Sequence, residues 1–382
     1  MMISKTKQPL VSVIISYYND SLFLADAIRS VLEQTYDNFE CILINHASTD
    51  ESRRIAHSFT DSRIKHIDLP FNYGASGNIL VLAGLAVARG EYIKLFCSDD
   101  ILLPEGLDVL VRQALCSSAD LVFGDISFVD VSKKPLKINY FKTRFPAGKS
   151  PIFYLQQLLC GTSCFPYPGN LIKRSALDKI DFDVVSVGVA DMNLWAEILL
   201  AGGKLSFVQE TVALYRVHEN QMCGISQKES IRKRLCFEDV VFIQQFFDRP
   251  LSWKMVRDLL PNDNFAQLLG PEDNDLTSFV LAHYISNFGI TAGQVLAARV
   301  FLSHTLRSET MRQRLEERFS WSIKNLRADI LARPVYVQYS GKDFAKNLPL
   351  SVLCYCFFRK LMFILTLRDW RHRRQEKKNR VL

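Results

Sequence analysis

The sequence predicts an α/β fold, a doubly wound, mostly parallel sheet followed by a helical C-terminal extension. Three observations carry that expectation. Short apolar runs alternate with helical patterns over about a hundred residues, as strands buried on both faces and joined by crossover helices do. The fourth run, Glu91-Tyr92-Ile93-Lys94-Leu95-Phe96-Cys97, leads into Ser98 and two adjacent carboxylates, Asp99 and Asp100. Ligands of open α/β sheets bind just beyond the carboxyl ends of strands. After residue 226 the pattern changes to helices without strands.

In order, Val11-Ser12-Val13-Ile14-Ile15-Ser16-Tyr17 is a β-branched strand closed by the turn residues Tyr18-Asn19-Asp20. Leu22, Ala25, Ile28, Arg29 and Leu32 recur at helical spacing, and Phe39 to Asn45 is a second buried strand. Ser48-Thr49-Asp50-Glu51 reads as a capped helix start, and residues 64–69 as a third strand. Gly74 and Gly77 open a helix of small and apolar residues that Arg89-Gly90 stops before the fourth strand. Residues 107–115 are amphipathic and 120–125 form another strand. The segment 132–150, with six Lys/Arg and two prolines, predicts a mobile loop able to cover a site. Helix resumes over 151–159, and Tyr167-Pro168-Gly169-Asn170 is a turn. A helix from Ala190 ends at Gly202-Gly203, and two short strands follow over 205–208 and 212–217. Helices are expected over 240–247, 279–288 and 292–304.

At 382 residues the chain exceeds a typical single domain, so one large α/β domain over 1–225 and smaller pieces over 226–346 and 347–382 are expected. Hydrophobic residues at 48% and charged residues at 23% exclude a disordered chain and a polytopic membrane protein. Nine scattered cysteines without a CxxC pair suit a reducing cytosol, and the apolar run after Val11 is too short for an export signal. No glycine fingerprint of a dinucleotide site follows the first strand.

Two neighbouring carboxylates repel unless a hard cation such as Mg²⁺ or Mn²⁺ joins them to substrate phosphates. Helix capping is the alternative, because Pro104 follows closely and Asp is a common N-cap. Asp191 can likewise be read as an N-cap, Tyr17 and Tyr18 as packing rings, and His218 as a structural hydrogen-bonder.

An ordered series of segments resembles the family 2 inverting glycosyltransferases. It runs through Val11 to Asn19, Ser30-Val31-Leu32-Glu33-Gln34-Thr35-Tyr36, Ser48-Thr49-Asp50, Asn72-Tyr73-Gly74 and Ala88-Arg89-Gly90-Glu91-Tyr92-Ile93. Ser98-Asp99-Asp100 to Pro104, Ala190-Asp191 before Leu194-Trp195, and Tyr215-Arg216-Val217-His218 complete it. The resemblance implies a GT-A fold with a nucleotide-sugar half over 1–103 and an acceptor half over 104–225. It implies transfer of a sugar from a nucleoside-diphosphate donor to a hydroxyl of a glycan or lipid-linked glycan acceptor, of the bacterial surface-polysaccharide type. Donor contacts are implied for Ser16, Tyr17, Tyr18, Asn19, His46, Ser48, Asn72, Asn78, Ser98 and Asp99. A divalent Mn²⁺ or Mg²⁺ is implied on Asp99, Asp100 and His218, and the general base at Asp191. The chain departs from the pattern at His46, where an acid often faces the base, at Cys97, where a further Asp often stands, and at Ala190, which replaces a usual Glu. These departures motivate the alternative of a non-catalytic carbohydrate- or partner-binding relic of the fold.

The net charge of +7 is concentrated, because residues 368–382 hold seven Lys/Arg against two Asp/Glu. Residues 348–367 are mostly apolar but contain Arg359-Lys360, and each charge at mid-membrane costs about 2.5–3.5 kcal/mol, which disfavours a spanning helix. An interfacial helix fits better: Phe357, Phe358, Leu361 and Phe363 bury, while the basic tail meets anionic headgroups at roughly 1 kcal/mol per residue. A core helix with a solvated tail is the alternative. The expected location is cytoplasmic, peripheral at the inner face of the cell membrane, with no nucleic acid partner. Truncation after Asn347 should lower the membrane-bound fraction on cell fractionation, and an unchanged fraction would remove the interfacial helix.

Overall fold

The computed structural model describes residues 8–74, 77–139, 147–159, 165–182, 186, 188–219, 229–249, 251–289 and 292–332. Nine strands form one sheet: β1 Val11–Tyr17, β2 Phe39–Asn45, β3 Ile64–Asp68, β4 Tyr92–Cys97, β5 Ile101–Leu102, β6 Leu121–Val129, β7 Pro135–Asn139, β8 Asn170–Lys173 and β9 Leu205–Arg216. Their order is β3-β2-β1-β4-β8-β6-β9-β5, with β7 paired to β6. The parallel ladders β1–β2, β1–β4, β2–β3 and β6–β9 run for five to nine paired residues, the antiparallel ones for two or three. The expected α/β sheet is therefore present, its long pairings all parallel.

β1 and β2 are buried along almost their whole length, as the continuous apolar runs require. Helix Leu24–Leu32 buries Leu24, Ala27, Ile28 and Val31, a stripe at i, i+3, i+4 and i+7. This shifts the stripe read from the sequence, for Leu22 lies in the preceding turn and is 77% exposed. Helix Gly77–Leu85 packs on β1, β2 and helix Ala190–Leu200.

Three expectations are corrected. Within 132–150, Pro135–Asn139 forms β7, because this stretch can continue the ladder beside β6 where β8 has ended; residues 140–146 lie outside the described residues. The two short strands over 205–217 are one strand, β9, whose register against β6 shifts after Gly124 and again after Asp125, taking up the exposed polar pair Gln209-Glu210 in a bulge. The acid pair does not cap a helix: Ile101-Leu102 pairs with β9, and the next helix, Gly106–Ser117, starts after Glu105.

β4 is held differently on its two sides. Toward β1 it is paired up to Cys97, whereas toward β8 the backbone ladder covers only Tyr92 and Ile93. Beyond them a side chain continues the ladder. The amide of fully buried Asn170 accepts the Leu95 N–H at 3.1 Å and donates to the Leu95 carbonyl at 2.8 Å and to that of Tyr167. Lys94, also fully buried, donates from Nζ to the Pro168 carbonyl at 2.6 Å, and burial pushes its ammonium down to about 7. The 3₁₀ turn Tyr167–Gly169 that receives these bonds sits against β6, where a Cβ on Gly169 would collide with the Gly124 carbonyl.

Compact packing unites residues 1–327; the remainder, 328–382, is a separate unit of which only the end of helix Ile323–Ala332 is described. The helices of the extension include Glu229–Asp248, Trp253–Leu259, Thr277–Phe288, Ala292–Thr305 and Glu309–Phe319. The boundary expected near residue 226 and the tail after 347 lie outside the described residues. Among the described residues, no helix is long and apolar enough to cross a membrane.

Asn170→Ala strips both Leu95 backbone groups of their partner inside the core. It should cost about 2–6 kcal/mol in urea unfolding, the sum for two orphaned buried groups.

Candidate active site

The registers bring Tyr17, Asn45 and Cys97 to one end of the sheet, with Ser16 between Ile44 and Cys97. Two turns there clamp each other. Asn19, with φ of 53° in the left-handed region that Asn tolerates, accepts the Thr49 N–H on Oδ1 at 2.8 Å and donates from Nδ2 to Thr49 Oγ1 at 3.2 Å. Its own N–H donates to Ser48 Oγ at 3.2 Å, and the Ser48 N–H donates to Asn45 Oδ1 at 2.9 Å. Asp50 accepts the N–H groups of Ser21 at 3.1 Å and Ser52 at 2.9 Å. Ser48 and Thr49 thus bind the opposite turn rather than cap a helix, and helix Ser52–His57 begins beyond them.

Tyr17 is buried, its hydroxyl pushed up by burial and by the Asp68 charge, while Tyr18 is 45% exposed. His46 is buried and its Nε2 accepts the Tyr73 N–H at 2.7 Å; the two rings lie nearly parallel and Tyr18 meets His46 edge-on. The imidazole beyond β2 therefore fixes the 70–74 loop through an unprotonated ring nitrogen. Asn72 serves the same loop, its Oδ1 accepting the Gly74 N–H at 2.7 Å. Asp68, not singled out in the sequence, is held at about 2, because bonds from Arg53, Asn45 and His57 outweigh its burial.

The acid pair lies where β4 gives way to β5. Asp99 Oδ2 stands 3.0 Å from His218 Nε2, and Asp100 is 1% exposed with Oδ1 accepting the Arg216 N–H at 3.0 Å. Its buried Oδ2 has no hydrogen-bond partner among the described residues. Burial and the adjacent Asp99 charge push the Asp100 carboxyl well above the usual range, and a cation would relieve that cost. One ligand atom each from Cys97, Asp99 and Asp100 lies within 4.8 Å of the others. The orphaned oxygen and the acid pair suit a divalent cation, while the His218 imidazole is hydrogen-bonded to Asp99 at the edge of that cluster. The Cys97 thiol is held well up by burial and the surrounding carboxylates, so sulfur here is a thiol.

Arg216 organises this corner from beneath. Its Nε donates to the Asp99 carbonyl at 2.8 Å, Nη1 to the Val131 carbonyl at 3.0 Å, and Nη2 to Asp26 at 3.1 Å. The Phe23 ring lies 4.7 Å from both the guanidinium carbon and the His218 ring centre. Ser98 turns toward the first strand and donates to Asp20, whose carboxyl burial pushes up.

Asp191 is the second residue of helix Ala190–Leu200, and its Oδ1 accepts the Met192 N–H at 2.8 Å. Burial pushes its carboxyl up to about 6, with the Glu238 charge adding to it. Asn78 does not face outward: its Nδ2 donates to the Ala190 carbonyl at 3.3 Å and so ties helix Gly77–Leu85 to the start of the Asp191 helix. Tyr167 is raised by burial, with the Asp191 and Asp100 carboxylates adding to it, which puts one ring within electrostatic reach of the acid pair and of Asp191. Asp20, Asp68, Tyr167 and Glu238 were missed from sequence; the turn Tyr167-Pro168-Gly169-Asn170 was the signal available for one of them.

A model of glycosyl transferase family 2 matches residues 12–181. Asp191 and His218 lie beyond that segment. Glycosyltransferase GlyG of Streptococcus pneumoniae is 28% identical over 215 residues, 54% of this chain and 70% of GlyG. The Escherichia coli UDP-Glc:alpha-D-GlcNAc-diphosphoundecaprenol beta-1,3-glucosyltransferase WfgD is 28% identical over 190 residues, 50% of this chain and 70% of that protein. Among solved structures, Staphylococcus aureus TarS 1-349 in complex with UDP-GlcNAc superposes with a TM-score of 0.52 at 17% identity, covering 76% of this chain and 88% of TarS 1-349, a likeness of fold. The ordered motifs, the α/β sheet with its acid pair beyond β4, and these relatives agree: residues 12–181 match glycosyl transferase family 2, within a GT-A fold followed by a helical C-terminal region.

Proposed function

We propose that the chain is an inverting glycosyltransferase moving a sugar from a nucleoside-diphosphate donor to a hydroxyl of a glycan or lipid-linked glycan acceptor. The observation that carries this reading is the pairing of Asp99 with His218 over the buried, half-unpartnered Asp100, in the same site as an Asp191 carboxyl raised to about 6. The names of GlyG and WfgD, the latter acting on a diphosphoundecaprenol-linked sugar, support a role in polysaccharide assembly. On this reading, the clamped turns around Asn19 and Ser48 and the rings of Tyr17 and Tyr18 receive the nucleoside, with Ser16, His46, Asn72, Asn78 and Ser98 shaping the cleft. Asp99, Asp100 and His218 hold a divalent cation, Mn²⁺ or Mg²⁺, which when bound neutralises the departing diphosphate. The acceptor oxygen attacks the anomeric carbon from the face opposite the diphosphate, the bond to the diphosphate oxygen breaks, and the hydroxyl proton passes to Asp191. A carboxylate near 6 is mostly ionised at neutral pH and is a stronger base than an ordinary one. Peripheral attachment to the inner face of the membrane through the basic tail belongs to the same proposal.

Three outcomes are expected. Asp191→Asn should lower transfer by roughly 10²–10⁴-fold with melting temperature and UDP binding unchanged, and wild-type turnover in this variant would remove Asp191 as the base. Because the base must be ionised, wild-type kcat/KM should fall as pH drops through about 6, about two units above the limb of an unperturbed Asp. In thermal melts, MnCl₂ with UDP should stabilise the wild type but not Asp99→Asn, and equal stabilisation of both would remove Asp99 as a ligand.

A further inference from the structure

We propose that Glu238, on helix Glu229–Asp248, is a positioning residue for Asp191: its carboxylate grips the peptide N–H groups that enter the base helix and supplies from the extension the acid that the sequence lacks at Ala190. The inference rests on Asp191 being the base.

The entry to helix Ala190–Leu200 lacks a local cap. Val189, at the N-cap position, makes no side-chain cap bond. Glu238 Oε2 instead accepts the N–H groups of Gly188 at 2.5 Å and Val189 at 3.0 Å, and the side chain is 3% exposed. A carboxylate on helix-entry N–H groups is the charge-assisted form of a cap and is favoured by the helix dipole. The grip is part of a longer seam. Gln245 Nε2 donates to Asn193 Oδ1 at 2.8 Å, and Arg249 pairs with Glu197 at 2.8 Å, so the two helices run in the same direction and lock at successive turns. Gly188, Val189, Asn193 and Glu197 are thereby fixed around Asp191 from one side. On the other side Ala190 sits against Gly77, where an added Cβ would come within 3.3 Å of the Ala190 Cβ, and Asn78 holds the Ala190 carbonyl. A carboxylate on residue 190 would have to enter that contact, whereas one from Glu238 reaches the same turn without disturbing it.

The arrangement bears on the chemistry of the base as well as its place. Facing Asp191 are Glu238 from the extension and Tyr167 from the 3₁₀ turn, together with the Met192 N–H of its own helix. Of the helices packed on the base helix, Gly77–Leu85 carries no titratable group and Pro151–Leu159 only the buried Tyr154. Glu238 is thus the nearby charge that strengthens Asp191 as a base, adding to burial in the same direction.

The test uses the full chain with ¹³C-carboxyl-labelled Asp, the Asp191 resonance being assigned by its loss in Asp191→Asn. Glu238→Gln keeps an oxygen for the two N–H groups but removes the charge. The Asp191 midpoint should move to lower pH by about half a unit or more in this variant, with little change in melting temperature. Glu238→Ala should add a loss of thermal stability. With UDP-glucose and MnCl₂ as the turnover probe, Glu238→Gln should show a severalfold lower kcat plateau, an unchanged KM and an acid limb displaced to lower pH, a combination that a merely structural role would not give. An Asp191 titration in Glu238→Gln identical to wild type overturns this inference and leaves the base reading standing. A wild-type rate in Asp191→Asn sinks the base reading and this inference with it. The NMR titration needs no donor and decides the matter for Glu238 by itself.

Discussion

The site depends on how β4 is fastened where its backbone ladder to β8 stops. After two residues of antiparallel pairing, the Asn170 amide takes over the Leu95 N–H and carbonyl, and Lys94 ties the strand to Pro168. Substituting a side chain for a strand lets the sheet change direction without leaving buried peptide groups unpaired, which would cost on the order of 1–3 kcal/mol each. The parallel half that carries the two clamped turns and the mixed half that leads to Asp191 are thereby joined at the residues just before the acid pair. A turn anchored this way cannot drift relative to either half.

Electrostatically the corner is arranged to leave negative charge uncompensated. Arg216 is nearly fully buried beneath Asp99 and Asp100, yet its side-chain donors go to two carbonyls and to Asp26, and only its backbone N–H reaches Asp100. A guanidinium spent on carbonyls positions the turn without neutralising it. Asp20, Asp99 and Asp100 therefore lie within electrostatic reach of one another beside the His218 imidazole, and on the proposed reading a cation arriving with the donor would balance them.

Most of the parallel half was legible because its strands are buried on both faces and must be written as apolar runs: β1 and β2 coincide with the segments read from sequence. β5 and β8 were not, since two and four residues are too short to show a period, and β8 contributes Asn170 to the core through hydrogen bonds that no hydrophobic pattern records. Leu22 misled because apolar spacing cannot tell the first turn of a helix from the loop before it. At the candidate site, the order of short motifs singled out Asp99, Asp191 and His218, a signal that survives large separations in sequence. Glu238 and Tyr167 lie near partners about 50 and 24–70 residues away in sequence, and beyond the turn that holds Tyr167 nothing local marks either residue.

Cys97 has a consequence of its own. The thiolate is the form that reacts with electrophiles and oxidants, and burial together with neighbouring carboxylates suppresses it here. A sulfur placed beside an acidic metal corner would ordinarily be a point of weakness toward peroxide, alkylating agents and soft metals. In this chain the same crowding of negative charge that would suit a hard cation also disfavours the Cys97 thiolate as long as no cation is bound, so a residue standing where another carboxylate is usual is the less reactive for its neighbours.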